Sequence, residues 1–274
     1  MTVMSLITAF QFLTIVPIKT RRSASDDDLR NSSAFFSLVG AAQGLVLALA
    51  AFLLVKLFSP DLTALLILAA YLFLTGGFHQ DGLSDTFDAL SVKSSGDRNK
   101  DIDKRLAIMK DSTVGPIGVI AIVFTLLLKY VLIKDLPGTY AYPDMYLVLF
   151  LMPLVSKWGM VVMMYGAKAA RKDGMARIFL EQTSHKQLGV ATLLLIAVVG
   201  GAVFAWAYLA PAPVIPAVSR FTLFFISAVA IVILFSSFLK HIFMKKFGGL
   251  TGDNFGALHE ISEVAFLAVA LLWK

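Results

Sequence analysis

Cysteine is absent from this 274-residue chain, and that absence excludes a disulfide framework, thiolate catalysis and a sulfur-ligated metal. Charge is scarce as well. Only 15% of the residues are charged against 58% hydrophobic, with a mean hydropathy of +0.80. Too little polar surface exists to cover a soluble domain of this size, so lipid is expected to serve as part of the solvent. Internal repeats and low-complexity tracts are missing, which leaves one integral membrane domain over residues 1–274 as the simplest organisation. Acidic residues are in deficit, 18 against 24 Lys and Arg, for a net charge of +6. The basic residues cluster between apolar runs, where they orient a membrane protein, so no nucleic-acid partner is expected.

What the chain has in quantity is uninterrupted apolar sequence. A bilayer core about 30 Å thick takes roughly 20 apolar residues of helix, and seven stretches qualify: 34–58, 62–78, 115–133, 144–166, 188–210, 220–239 and 255–273. The expected fold class is therefore all-α, a polytopic transmembrane bundle of about seven spans. Loop charge alternates along it. Segment 19–33 carries Lys19, Arg21, Arg22 and Arg30, and segment 79–114 carries Lys93, Arg98, Lys100, Lys104, Arg105 and Lys110. Lys168, Arg171, Lys172, Arg177 and Lys186 fall in 167–187, and Lys240, Lys245 and Lys246 in 240–254. The intervening loops 59–61 and 211–219 have no Lys or Arg, and 134–143 has only Lys134. The four basic segments are expected on the cytoplasmic side of the inner membrane. Residues 1–18 are apolar but short, with Gln11 inside and Pro17 near the end, and read as an interfacial or re-entrant helix. A cleaved signal peptide fits less well, because no basic region precedes the stretch and no small-x-small site follows it before Lys19.

The chemistry concentrates after the second span, in Gly76-Gly77-Phe78-His79-Gln80-Asp81-Gly82-Leu83-Ser84-Asp85-Thr86-Phe87-Asp88. On a helix, Asp81, Asp85 and Asp88 lie within roughly 60° of one another around the axis, so three carboxylates share a face and repel. An all-oxygen set of this kind suits Mg²⁺, or Mn²⁺, which complete their shells with water and substrate phosphate. Helix capping by Asp81 is the plainer reading, but it explains one aspartate and not three. Farther along, Arg105 and Lys110 precede Asp111 and the group Gly115-Pro116-Ile117-Gly118. The two cations suit phosphate oxygens, and they equally suit the flank of a cytoplasmic span end. The two glycines bring backbone close to a ligand or simply open the third span. Near the end of the chain come Thr251, Asp253, Glu260 and Glu263, the last two one turn apart inside an apolar span. Carboxylates at that depth need protein, water or a cation; they serve function or a polar contact between helices.

Three blocks then stand in order: Gly76-Gly77-Phe78-His79-x-Asp81-Gly82-Leu83-x-Asp85-x-x-Asp88; Arg105-x-x-Ile108-Met109-Lys110-Asp111-Ser112-x-x-Gly115; and Gly248-Gly249-x-Thr251-Gly252-Asp253-x-x-Gly256-Ala257-x-x-Glu260-x-x-Glu263. With Phe12-Leu13-Thr14 and Pro17, they resemble the adenosylcobinamide-GDP ribazoletransferase family over nearly the whole chain. The resemblance implies a membrane enzyme of late cobalamin assembly that joins α-ribazole, or its 5′-phosphate, to adenosylcobinamide-GDP with release of GMP and a divalent cation. It implies metal ligation by Asp81, Asp85, Asp88 and Asp253, and catalytic roles among Asp88, Asp111 and His79. Substrate or phosphate contacts fall to Arg105, Lys110, Lys157, Arg171, Thr251, Glu260 and Glu263. The triplet also resembles the CDP-alcohol phosphotransferases, without their Ala-Arg pair. Within the closer family, Lys157 after Ser156 stands where Arg is expected, and Ala89 and Ala176 stand where Gly is expected; Lys offers a point charge in place of a bidentate fork. A cation- or proton-coupled transporter is the competing reading, through intramembrane Glu260 and Glu263. Membrane lipid is an expected partner under either reading, and a homo-oligomer is left open.

Overall fold

A backbone crossing hydrocarbon must satisfy its own N–H and C=O groups, which leaves helices as the means of burying these apolar runs. The structure, a computed structural model, describes residues 1–20, 22–139, 142–172, 175–209 and 214–273; Arg21 and Gly174 lie outside the described residues. The helices are α1 (Val3–Leu13), α2 (Asp26–Ser32), α3 (Phe36–Leu54), α4 (Pro60–Thr75), α5 (Phe78–Leu90), α6 (Arg98–Ile108), α7 (Pro116–Thr139), α8 (Tyr142–Met164), α9 (Met175–Gln182), α10 (His185–Leu209), α11 (Val214–Phe247) and α12 (Gly252–Leu272). Among the described residues, six helical segments are long and apolar enough to cross a membrane, α2 and α3 running together as Asp26–Leu54. The pair α4 and α5, bent by 87°, makes a seventh if the two are counted as one broken span. The expected polytopic bundle is what forms.

At that bend Gly76 and Gly77 have φ of +66° and +74°, a left-handed conformation that side chains rarely tolerate. The second span therefore stops at Thr75, and α5 leaves at nearly a right angle, carrying the aspartates with it. Helix α1 does not cross: 11 residues reach about 16 Å. It is tied down instead, by Thr2 donating to Asp28 at 2.8 Å and Gln43 donating to the Leu13 carbonyl at 3.0 Å. Beyond it, the Ile15 amide donates to the Leu74 carbonyl at 3.1 Å.

Helix α8 is the centre of the bundle, with most of its side chains from Met145 to Met164 buried. Small residues let its neighbours close on it: a Cβ on Gly40 of α3 would stand 2.5 Å from the Pro153 carbonyl oxygen, and one on Gly44 would collide with Phe150 backbone. Lipid tails are as apolar as leucine, so backbone approach of this kind drives helix association where hydrophobic contrast is lacking.

All four basic segments meet at one end of the bundle. Gln187 donates to Asn31 at 3.1 Å, Arg171 to the Leu106 carbonyl at 3.1 Å, and Arg105 to the Val92 and Lys246 carbonyls at 3.2 and 3.4 Å. Residues 168–170 pair backbone to backbone with Leu250, the Leu250 amide donating to Lys168 at 2.8 Å and the Ala170 amide to Leu250 at 2.9 Å. The opposite end holds Asp61 against Lys134 and Tyr130, at 2.8 and 2.6 Å, and Trp206 against Asp144 at 2.8 Å.

Candidate active site

Two polar regions share helices α5 and α12. One lies at the basic end. Helix α5 begins at Phe78 with Gly77 as its cap residue, so Asp81 stands a turn inside the helix and is no cap. Asp81 is exposed and Asp85 half-buried. Asp253 comes to them from the first turn of α12 through a very close helix crossing. A Cβ on Gly82 would sit 2.7 Å from the Asp253 carbonyl oxygen, and one on Gly256 2.9 Å from that of His79. Burial first, and then the charges of Asp81, Asp253 and Asp88, disfavour a charge on Asp85, and Arg171 offsets them in part.

Thr251 and Asn254 fix the start of α12 as a capping box, each side chain accepting from the other's backbone amide. Asn254 also donates to Thr86 of α5 at 3.1 Å. Gly249 leaves room for the backbone of Ala169 and Ala170. The paired strand-like segments then carry Arg171 toward Asp253. Between them lies a cavity of about 210 Å³, with Phe12, Arg171, Arg177, Thr251, Asp253 and Phe255 on its walls.

Asp88 has a different occupation. Its two oxygens accept the Gly115 and Gly118 amides, both at 2.8 Å, so it caps the N-terminus of α7 across 27 and 30 residues of sequence. A Cβ on either glycine would strike the Asp88 carboxylate. Gly115 and Gly118 are thus explained by a carboxylate of the chain itself, and the span begins there.

Asp111 is exposed and accepts from the amide and hydroxyl of Thr113 at 3.0 and 2.8 Å. Those bonds, the backbone one first, hold its carboxyl below the ordinary range, which weakens it as a base. Arg105 is buried with its guanidinium on the two carbonyls already named, joining loop 92 to the end of α11. Lys110 is exposed on the same basic end.

The second region is buried in the bundle. Lys129 of α7 bonds Glu260 at 2.6 Å and Glu263 at 2.5 Å, and none of the three side chains is more than 1% exposed. Tyr71 donates to Glu263 at 2.5 Å, Gln80 donates to Glu260 at 3.0 Å, and His259 lies 3.1 Å from Glu263. Lys157 is fully buried with Nζ 3.2 Å from His259. His79, roughly half a helical turn round α5 from the aspartates, packs its ring 4.1 Å from that of His259. His79, Lys157, Glu260 and Glu263 therefore belong with one another and not with the acidic face. Among the described residues, His79, His259 and Glu260 are the one set of three His, Asp or Glu donors within 4.8 Å of one another. The ammonium group of Lys129, 2.6 Å from Glu260, opposes a cation there.

Sequence reasoning passed over Lys129, Tyr71, Gln80 and His259. Lys129 had a signal: it is a lone charge in the middle of an apolar span.

The chain matches the model of a protein family described as cobalamin-5-phosphate synthase over residues 5–271. Among curated relatives, the adenosylcobinamide-GDP ribazoletransferase of Thermodesulfovibrio yellowstonii is 33% identical over 269 residues, covering 96% of this chain and 94% of its own. Those of Geotalea daltonii and Clostridioides difficile are each 33% identical, covering 94% of this chain and 93% of their own. No solved structure matches.

Proposed function

The chain belongs to the cobalamin-5-phosphate synthase family, a membrane enzyme family of cobalamin biosynthesis, and from that membership we propose that it joins α-ribazole 5′-phosphate to adenosylcobinamide-GDP and releases GMP. A hydroxyl of the ribazole ribose attacks the phosphorus joined to cobinamide. One P–O bond forms to the ribose oxygen as the P–O bond to GMP breaks, and the hydroxyl proton leaves to a carboxylate or water of the acidic face.

Support comes from the convergence at the basic end: the Gly82–Gly256 crossing brings Asp253 beside the helix that carries Asp81 and Asp85, and Arg171 opposes the mutual repulsion of these carboxylates. An uncompensated all-oxygen set suits Mg²⁺ or Mn²⁺, which need one or two carboxylates and fill their shells with water and phosphate. Asp81, Asp85 and Asp253 would hold that cation, and it would neutralise charge building on the phosphoryl oxygens. Arg171 presents a planar fork to the same oxygens. We assign Asp88 to positioning, since its oxygens are held by α7, and we leave His79 out of the chemistry.

The basic loops face the cytoplasm in this reading, and the protein sits in the cytoplasmic membrane. The transporter reading gains nothing, because the buried charges close on one another and the relatives are named as transferases. The test is direct. Purified protein with adenosylcobinamide-GDP, α-ribazole 5′-phosphate and Mg²⁺ releases GMP in proportion to the joined product. Absence of GMP with correctly folded protein would sink the proposal.

A further inference from the structure

The cavity beside Asp253 has a composition that selects among the pieces of the two substrates. Its volume of about 210 Å³ is below the roughly 300–1,000 Å³ that takes a whole drug-sized ligand. It suits one fused ring and a small anionic group, and the corrinoid macrocycle is far too large for it. Phe12 and Phe255 supply aromatic wall, and Arg171 and Arg177 supply cationic wall.

The polar groups of the cavity mostly give hydrogen bonds and accept few. Both arginines only donate, and the Thr251 hydroxyl already accepts the Asn254 amide. Among the described residues, the one carboxylate on the wall, Asp253, belongs to the repelling acidic set. Guanine presents N–H donors that require acceptors, and it is poorly served here. A benzimidazole joined to ribose through nitrogen has no N–H at all, and a phosphate monoester has only acceptors.

Resting on the reaction proposed above, we propose that this cavity is the subsite of the attacking nucleotide: the benzimidazole ring packs against Phe12 and Phe255, and its 5′-phosphate meets Arg171 and Arg177. The ribose then lies between them, beside Asp253, where its hydroxyl faces the acidic set.

The experiment measures KM for each substrate by GMP release, using full-length protein with Mg²⁺. Phe12→Ala raises KM for α-ribazole 5′-phosphate about tenfold, in line with the worth of one aromatic stack on a base, and moves KM for adenosylcobinamide-GDP less than about twofold. Arg177→Gln weakens the phosphorylated nucleotide and leaves free α-ribazole unchanged. Phe12 also packs on Phe36 and Phe179, at 6.1 and 5.0 Å, so Ala176→Leu is a second variant. Ala176 lines the cavity beside Gly252, its Cβ 4.0 Å from where a Cβ on Gly252 would stand, and a larger side chain there fills the space and gives the same one-sided rise. A rise confined to adenosylcobinamide-GDP would assign the cavity to guanosine and overturn the proposal, as would unmoved KM values in variants that turn over. A wild-type protein that releases no GMP removes the reaction and this subsite together.

Discussion

The acidic face and the buried ion cluster share helices α5 and α12 and hold similar side chains, yet they solve opposite problems. In the buried cluster, Glu260 and Glu263 face Lys129 at 2.6 and 2.5 Å with Tyr71, Gln80 and His259 filling further positions. Both carboxylates there are answered by the Lys129 ammonium. On the acidic face, Asp81 and Asp253 each disfavour a charge on Asp85, and Arg171 opposes them. A set left unanswered by the chain is one that awaits ligands, whereas an answered set holds helices. Position relative to solvent decides which is tolerable: unpaired carboxylates are costly inside the bundle and cheap at its wet end.

The comparison breaks most visibly at Lys129. Lys129→Met leaves two buried carboxylates without their cation, a change that costs about 3–5 kcal/mol. Thermal unfolding in detergent should show a large loss, and added Mg²⁺ should not restore it. Replacing Glu260 and Glu263 by Gln in the same protein removes the stranded charges and should recover much of the stability. An unchanged midpoint in Lys129→Met would mean that the cluster is not the helix tie inferred from its distances.

Asp85→Asn gives the opposite signature. Asn preserves shape and removes one of the mutually repelling charges, so stability should hold or rise slightly. Turnover should fall about a hundredfold, roughly 2.7 kcal/mol of barrier, and recover in part at higher Mg²⁺. Wild-type turnover at limiting Mg²⁺ would remove Asp85 from the metal set.

Asp88→Asn tests the boundary between the two regions. The substituted amide can accept one of the Gly115 and Gly118 N–H groups and turns an NH₂ toward the other. Losing a charge-assisted bond costs about 1.5–3 kcal/mol. Helix α5 should loosen on α7, with turnover down about tenfold and no recovery at high Mg²⁺. Rescue by metal would return Asp88 to the ligand set.

How much of this was legible beforehand follows from the range of each interaction. The spans were, because hydropathy is local, and so was the shared face of Asp81 and Asp85, because helical periodicity is local. Periodicity treats Asp88 as their equal, however, and its partners stand 27 and 30 residues away on α7. Asp253 reaches the site only because Gly82 and Gly256 let two backbones nearly touch, and nothing in the local pattern distinguishes them from glycines in a turn. Glu260 and Glu263 announced themselves by depth, but their partner Lys129 is more than 130 residues away. Depth in a span flags a charge without saying whether it binds a ligand or a neighbour.

The smallest expected effect concerns Asp101, a carboxylate outside the spans that is answered as fully as the buried ones, though by hydroxyls and an amide. It accepts from Ser94 Oγ at 2.6 Å and from the amide and hydroxyl of Ser95, both at 2.8 Å. The Ser94 bond first, then those of Ser95, lower its pKa to about 2. A carboxyl whose folded pKa is depressed contributes stability above its ordinary pKa of about 3.9, and loses it as pH falls through the folded value. Protection of the Ser95 amide from hydrogen exchange should therefore stay level from pH 8 to about 4, after correction for intrinsic rates, and fall between about 4 and 2. Asp101→Asn should expose that amide already at pH 7 while leaving Mg²⁺ dependence untouched, because the residue ties a loop and answers no ligand. Equal protection in the variant and the wild type at pH 7 would show that the Ser94–Ser95 turn is held by something other than this carboxylate.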